Sequence, residues 1–356
     1  MLLSVVIPVY NGAPTLSQCL MALAHSDLTP IECIVVDDGS SDGSEITAAR
    51  YDTRVVSLRE RCGPAHARNL GARLASGDLI VFLDADVAVH SDTLRLLAER
   101  FEREPDLDAL IGAYDDSPAD QGFVSQFKNL MHSFVHREGN ANAFSFWCGC
   151  GAVKRKVFLD HGGLDESYRR PAIEDIEFGI RLLKSGHKLS LDSEIQCTHL
   201  KAWTLWGLIQ TDIFQRGIPW TKLILRTGFL PDDLNLKWSQ RVSVLLSALL
   251  PLLCGTFAYQ AFRKQALISP SSYTALSVGI IVLILTLNRG FYGFLASRRG
   301  WAFSISVWPL HVLYYLYCGT SLLLGIGSHL LGTLTRARRF TTQVARSEAE
   351  DFRQSA

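Results

Sequence analysis

Two acidic side chains at the end of an apolar run raise the first question of chemistry. Residues 79–92 read LIVFLDADVAVHSD, and the run Leu79 to Leu83 stops at Asp84-Ala85-Asp86. A strand repeats every two residues, so Asp84 and Asp86 share one side. Like charges on one side repel unless something positive stands between them. The pattern suits either a polar loop that opens a helix from Ser91 or a site for a divalent cation. A second acidic set, Ile173-Glu174-Asp175-Ile176-Glu177-Phe178, opens a helix that runs to Ser185-Gly186. Acids in a first helical turn complement the macrodipole, and a carboxylate placed there can also act as a general base.

Both sets need a scaffold, and the first 240 residues supply one. Apolar runs at Leu3–Val9, Ile31–Val36, Val55–Leu58, Leu79–Leu83 and Asp108–Tyr114 read as strands. Helical patterns at Thr15–Ser26, Pro64–Ser76 and Ser91–Glu104 fall between them. This alternation predicts an α/β fold, a mostly parallel sheet with helices on both faces. In such sheets ligands gather at the carboxyl ends of the strands. Tyr10-Asn11, Asp37-Asp38 and Asp84-Ala85-Asp86 follow strands one, two and four, which brings three polar strand ends to one edge. Each alone could be a turn. Neither GxGxxG after strand one nor GxxxxGK[ST] occurs, which argues against a dinucleotide enzyme and a P-loop ATPase.

Composition divides the chain. Acidic and basic side chains balance at 35 each, which gives no support to nucleic acid as a partner. From Val242 to Leu331 there is no Asp or Glu, and the only cations are Arg263, Lys264, Arg289, Arg298 and Arg299. A soluble domain followed by a membrane domain is expected. The eight cysteines form no CxxC pair, and Cys148-Gly149-Cys150 is too awkward to bridge. Reduced thiols in a cytosolic domain, and no zinc site, are the reading. The opening MLLSVVIPVY lacks a basic start and meets Pro8 early, so it reads as a strand, not an export signal.

The segments VVIPVYNG, VVDDGSSDGS, GPAHARNLG, VFLDADV and IEDIEFGIRL, in this order over residues 3–200, resemble the signature series of family 2 glycosyltransferases with the GT-A fold. The resemblance implies inverting transfer of a sugar from a nucleotide-sugar, a UDP-sugar first of all, with Mg²⁺ or Mn²⁺. It places such a chain in the making of cell-envelope polysaccharide or glycolipid. Pro8, Tyr10 and Asn11 would line the nucleotide pocket, and Asp38 or Asp37 would accept the imide N–H of uracil, a role suited to an acceptor-only carboxylate. Arg68 would approach the nucleotide. Asp86 would bind the metal and Asp84 would hold ribose or water beside the diphosphate, since Mg²⁺ takes one or two carboxylates plus phosphate oxygens. Asp175, with Glu174 and Glu177 beside it, would be the base, and His199 a further metal or diphosphate contact. Gly162-Gly163-Leu164-Asp165-Glu166 resembles the acceptor-side loop. His66, His161 and His187 read as surface or turn histidines.

The remainder reads as membrane structure. In residues 203–229, Trp203, Trp206, Ile209, Ile213 and Phe214 fall at helical spacing on one side, as a membrane-interface or domain-packed helix would have them. Gln215-Arg216-Gly217-Ile218-Pro219-Trp220 is similar to the QxxRW motif of polymer-extruding relatives but sets Arg directly after Gln, which argues against processive synthesis. Spans are expected at about 242–262, 271–288 and 305–330, each long enough to cross a bilayer. With the catalytic domain on the cytoplasmic face, Arg298-Arg299 obey the positive-inside rule. An odd number of spans would put Arg336, Arg338 and Arg339 outside, unless the third region turns back near Gly319 or one stretch lies in the interface. Residues 336–356 read as a polar tail, disordered from Thr341. The boundaries are therefore 1–200 catalytic, 201–240 interfacial and 241–335 transmembrane. The expected activity is transfer of one sugar to a lipid-linked or other membrane-borne acceptor. A nucleotidyltransferase is the rival enzyme, though Asn11-Gly12-Ala13-Pro14 lacks its Gly-rich loop with Lys. An inactive membrane scaffold of the same fold is the rival outside enzymes.

Overall fold

The computed structural model describes residues 2–28, 31–263 and 268–354, with side chains described through Thr333. Lys264 and the side chains of Arg336, Arg338 and Arg339 lie outside the described residues. The strands are β1 (Leu3–Val9), β2 (Glu32–Asp37), β3 (Arg54–Ser57), β4 (Leu79–Leu83), β5 (Val87–Val89), β6 (Ala109–Tyr114), β7 (Cys150–Lys154) and β8 (Leu189–His199). They form one sheet in the order β3-β2-β1-β4-β7-β6-β8-β5.

Strands β3, β2, β1 and β4 are parallel, with Val9 opposite Asp37. Their carboxyl ends therefore lie side by side, and β1 and β4 meet where the chain reverses its direction of winding. Beyond β4 the sheet is mixed. β7 runs antiparallel to β4 and β6, and β5 antiparallel to β8, while β6 and β8 are parallel. The sheet is thus mostly parallel only in its first half. β5 and β7 escape sequence reading because three to five residues carry too little period to register. β1 and β4 are buried along their whole length, as strands covered on both faces must be.

Helices α1 (Ala13–Ala24), α2 (Ser44–Ala48) and α4 (Thr93–Arg103) bear on one core, in which Leu16, Leu20, Leu94 and Leu97 meet Val5, Ile7 and Val81. Helices α3 (Pro64–Leu74), α6 (Arg155–Asp160) and α7 (Glu174–Lys184) form the other with Phe82, Phe146, Phe158 and Phe178. In α3, Gly71 stands where a Cβ would meet Val6 Cγ1 at 2.4 Å, so the helix lies directly on the sheet. In α7, a Cβ on Gly179 would meet the Phe146 backbone nitrogen at 2.0 Å. That contact fixes how close α7, the helix that begins with Glu174-Asp175, sits to the 145–148 segment.

Helix α5 (Phe123–Arg137) begins the third core. It packs Phe127 and Leu130 against Trp203, Leu208, Ile284, Phe291, Leu295 and Tyr315. The segment expected at the interface is one continuous helical rod, α8 (Leu205–Gln210), a π-helical stretch over Thr211–Gly217, and α9 (Ile218–Thr227). The apolar residues occupy two faces instead of the single face expected. Trp203, Ile209 and Ile213 join the third core, whereas Trp206 and Phe214 point outward, 68% and 62% exposed.

Three described helices are long and apolar enough to cross a membrane, Trp238–Arg263, Pro270–Leu287 and Trp308–Thr333. They belong to α10 (Trp238–Arg263), α11 (Pro270–Leu287) and α13 (Trp308–Gln354). Between the last two, α12 (Arg289–Ser306) bends at Gly300, where φ is +82°. Helix α13 runs straight through Gly319, so no turn occurs there. Its backbone continues helical to Gln354 where the sequence suggests a disordered tail; Arg, Ala, Glu and Gln there are good helix formers. Arg298 and Arg299 bind the sheet domain, through Nε to Asp116 Oδ2 at 3.0 Å and Nε to Gln126 Oε1 at 2.7 Å.

A Gly179→Ala chain has to push α7 away from Ser145–Phe146. Thermal unfolding should report a loss of about 1–3 kcal/mol, and an unchanged midpoint would show that α7 is free to back away.

Candidate active site

Loops leaving the parallel strands build the first wall. Asn11 adopts φ of +49°, and its Oδ1 accepts from the Ser41 N–H at 2.8 Å while its own N–H donates to Ser40 Oγ at 2.9 Å. The loop after β1 is thereby tied to the loop after β2. Asp37 turns back on its own loop, Oδ1 accepting from the Ser40 N–H at 3.0 Å. Asp38 holds the entry to α3, its two oxygens accepting from the Cys62 and Gly63 N–H groups at 2.7 and 2.9 Å. Arg61, missed by sequence reading, lays its guanidinium over the Tyr10 ring at 4.0 Å. A cavity of about 490 Å³ is lined here by Pro8, Tyr10, Asn11, Asp38 and Arg61; Asp37 is not on its wall.

A second cavity, of about 230 Å³, is lined by Glu174, Asp175, Trp147, His199, Arg216 and Trp220. The two cavities share Arg68, Asp84, Asp86, Pro171 and Lys201. Asp37 and Glu177 lie off these walls, while Pro8, Tyr10, Asn11, Asp38, Arg68, Asp84, Asp86, Glu174, Asp175 and His199 thus face one connected space. Glycines 162 and 163 with Leu164 to Glu166 do not. That loop packs on α3, where Asn69 Nδ2 donates to the Leu164 carbonyl at 2.8 Å and Asn69 Oδ1 accepts from the Leu164 N–H at 2.9 Å. Pro171 and Ala172 reach the cavity in its place. His66 and His187 pair with Glu166 and Asp108, and His161 with a backbone carbonyl.

Asp84 and Asp86 find different partners. Arg68, 6% exposed, donates from Nη2 to Asp84 Oδ1 at 2.6 Å and from Nη1 to Glu174 Oε1 at 2.9 Å. The guanidinium therefore joins the end of β4 to the start of α7. Glu174 Oε2 also accepts from the Ala172 N–H. Asp175 is left as the carboxylate facing the cavity, with Oδ2 accepting from the Cys148 N–H at 3.2 Å. Burial and the neighbouring Glu174 push its carboxyl up to about 7, against the opposing pull of Arg68.

Asp86 faces His199, whose Nε2 lies 3.7 Å from Asp86 Oδ2. The far side of that imidazole is fixed. Asn129 Oδ1 lies 2.7 Å from His199 Nδ1 and also takes the Trp203 indole N–H at 3.2 Å. An indole nitrogen only donates, so the Asn129 atom is its oxygen and His199 must donate from Nδ1. The Nε2 lone pair then points at Asp86. Two electron-pair donors so placed call for a cation between them, either a proton or a metal. Ligating histidines are commonly oriented by such a partner on the other nitrogen. Among the described residues no group of three or more His, Cys, Asp or Glu could hold a metal by itself. Asp86 and His199 fit a divalent ion that takes its other ligands from phosphate oxygens and water.

Helix α5 carries the residues that sequence reading missed. Besides Asn129, Lys128 donates to both oxygens of Asp212 at 2.9 and 3.0 Å, and His132 Nε2 takes an N–H from Arg216 Nη1 at 3.2 Å. Burial, with Lys128 and Arg216 nearby, holds His132 well below its usual range and therefore neutral. The signal was a polar stripe at helical spacing, Ser125, Asn129, His132 and His136, on a helix whose other side is apolar.

A sheet switching direction at β1 and β4, with acidic strand ends opposite an acidic helix start, is an α/β domain of the GT-A type. Residues 4–162 match the model of glycosyl transferase family 2, so the chain carries a family 2 glycosyltransferase domain. It is 37% identical over 118 residues to the glycosyltransferase GlyG of Streptococcus pneumoniae, covering 32% of this chain and 39% of that one. It is 31% identical over 229 residues to a validoxylamine A glucosyltransferase of Streptomyces hygroscopicus, covering 54% of each. The chain spans less than two thirds of the length of these relatives. Among solved structures, the mannosyltransferase PcManGT of Pyrobaculum calidifontis, in complex with GDP-Man and Mn²⁺, superposes with a TM-score of 0.58 at 19% identity over 86% of both chains. The sheet ends at His199, so coverage of that extent includes part of the helical region.

Asn129→Leu strands two buried N–H donors, so a loss of about 2 kcal/mol or more in unfolding free energy is expected. The ¹⁵N spectrum of His199 should move away from the Nδ1–H form. An unchanged spectrum would refute the assigned tautomer.

Proposed function

We propose that the chain is a membrane-anchored, inverting glycosyltransferase. It moves a sugar from a nucleotide-sugar, a UDP-sugar in the first instance, to a lipid-linked or other membrane-borne acceptor, one sugar at a time. The observation that carries this reading is the placing of Asp175, its carboxyl pushed up to about 7, across one connected cavity from Asp86 and His199. A group poised near neutral pH suits proton transfer.

In this reading the base of the nucleotide lies by Tyr10 and Arg61, with Pro8, Asn11 and Asp38 around it. Asp37 shapes that loop from behind. Arg68, Asp84 and Lys201 stand where the two cavities join, the place for the diphosphate and ribose. Asp86 and His199 would hold Mg²⁺ or Mn²⁺, which supplies positive charge to the departing diphosphate. Asp175 takes the acceptor hydroxyl's proton on the face opposite the leaving group, and Glu174 with Arg68 keeps it in place. The relatives named above support the reaction class, and PcManGT supports a divalent ion by its own complex. The three apolar helices support membrane anchoring. Arg298 and Arg299, packed on the sheet domain at the foot of α11 and α13, support a cytoplasmic catalytic face by the positive-inside rule.

Asp175 works deprotonated and binds its proton more tightly than an ordinary carboxyl. The rate at subsaturating donor and acceptor should therefore fall about tenfold per pH unit below about 7 and level off above it. A flat profile between pH 5 and 8, about one to two units either side, would exclude Asp175 as the base. Asp175→Asn should keep UDP binding by calorimetry while transfer drops by about 10² to 10⁴. Asp86→Ala should lose the gain in UDP affinity that Mg²⁺ or Mn²⁺ gives the parent chain. Wild-type transfer in both variants would overturn the reading.

A further inference from the structure

The catalytic cavity does not end at Arg216 and Trp220. Both side chains, with Asn235, also line a groove of about 400 Å³ between α9, α10 and α13. Its walls are Ile224 and Leu225 from α9, Val244 and Leu245 from α10, and Leu322 and Ile326 from α13. Two of these helices are among those long and apolar enough to cross a membrane. Along α13 the groove runs from Tyr314 to Ile326, about 18 Å at 1.5 Å per residue. That exceeds half of a hydrocarbon core about 30 Å thick.

The groove is polar at one end only. Where it meets the catalytic cavity stand Lys128, Asp212 and Arg216. Lys128 and Asp212 are buried and bonded to each other through both carboxylate oxygens, and Tyr317 Oη donates to Asp212 as well at 2.9 Å. Arg216 is more than a third exposed and 3.5 Å from the already occupied Asp212. With Arg241, which also lines the groove, three cations stand against one anion. The Arg216 guanidinium turns toward the space that also holds Asp175. Toward Leu322 and Ile326 the lining is hydrocarbon.

The helices are held at this crossing by small residues. A Cβ on Gly217 would meet Ser321 Oγ at 2.2 Å, and one on Gly325 would meet Thr221 Cβ at 2.6 Å. The groove is therefore a gap left beside a close contact, with a fixed wall on the α9 side. Leu225, Leu245 and Leu322, each more than 40% exposed, form its open rim.

We propose that this groove seats the hydrocarbon chain of a phosphate-bearing lipid, the acceptor, with its phosphate at Arg216, its chain along α9, α10 and α13, and the accepting hydroxyl carried beyond the phosphate toward Asp175. Continuity with the cavity of Asp175 places the head where transfer occurs, and guanidinium–phosphate pairing is the favoured contact for such a head. A water-soluble acceptor has no use for an apolar channel opening on the catalytic base. The acceptor role rests on the transferase reading; the binding of the lipid does not.

The test uses the full chain in detergent and phytanyl phosphate bearing a photoreactive diazirine on its chain. Labelling should map to 217–230, 241–245 and 314–326. Unlabelled phytanyl phosphate should compete, phytanol about tenfold less well, as loss of a charge-assisted contact predicts, and inorganic phosphate not at all. Leu322→Trp and Ile326→Trp fill the groove and should each cut labelling by about the same factor while leaving UDP binding unchanged. Arg216→Gln should erase the preference for phosphate over alcohol. Wild-type labelling in both tryptophan variants, equal competition by phytanol, or equal competition by phosphatidylglycerol would overturn the proposal. Failure of the parent chain to bind UDP would sink the transferase reading and leave a labelled groove standing.

Discussion

A single buried guanidinium holds the two halves of the site together. Arg68 sits between Asp84 at the end of β4 and Glu174 at the start of α7. Without that positive charge three carboxylates, counting Asp175, would face each other across a confined space. Taking such a set out of water costs several kcal/mol per ion unless each charge is paired. Pairing two of them leaves the third unneutralised, and burial with Glu174 alongside raises the Asp175 carboxyl. The same bridge ties the end of β4, just before Asp86, to the helix that carries Asp175. The two sides of the cavity are thus built as one unit.

The second organising element is α5. One face contributes Phe127 and Leu130 to the core shared with α11, α12 and α13. The other presents Asn129 to His199, Lys128 to Asp212 and His132 to Arg216. Gln126 meanwhile receives Arg299 from α12. The helix therefore links the Asp86–His199 side of the site, the groove between α9, α10 and α13, and the apolar helices through side chains within four turns. The π stretch at Thr211–Gly217 belongs to the same arrangement. It carries Asp212 and Arg216 toward α5 while leaving Phe214 outside.

Much of this was legible in the chain. The parallel half of the sheet, the acidic strand ends and the three long apolar helices follow from apolar runs and their punctuation. Asp86, Asp175 and His199 were reachable through the resemblance, and the structure places them around one space. What sequence reading could not supply was pairing. The two partners of the Arg68 amino groups, Asp84 and Glu174, are not announced by any local pattern. Asp37 and Asp38 are adjacent, yet only Asp38 lines the cavity, because Asp37 is drawn into a turn with Ser40. The loop at 162–166 was expected beside the acceptor and instead packs on Asn69, a long-range partner that no local pattern announces. The short strands β5 and β7 and the π stretch were lost for the same reason, since each is specified by neighbours distant in sequence.

The close crossing of α9 and α13 has a geometric consequence. Gly217 against Ser321 and Thr221 against Gly325 lie one helical turn apart on each partner, so the two backbones touch at two successive levels. Contact at two levels removes sliding as well as tilting. Bulk added at any of the four positions would push the two helices apart and disturb both levels at once. Small residues at this crossing thus set how near α13 stands to the segment that carries Arg216 and Trp220.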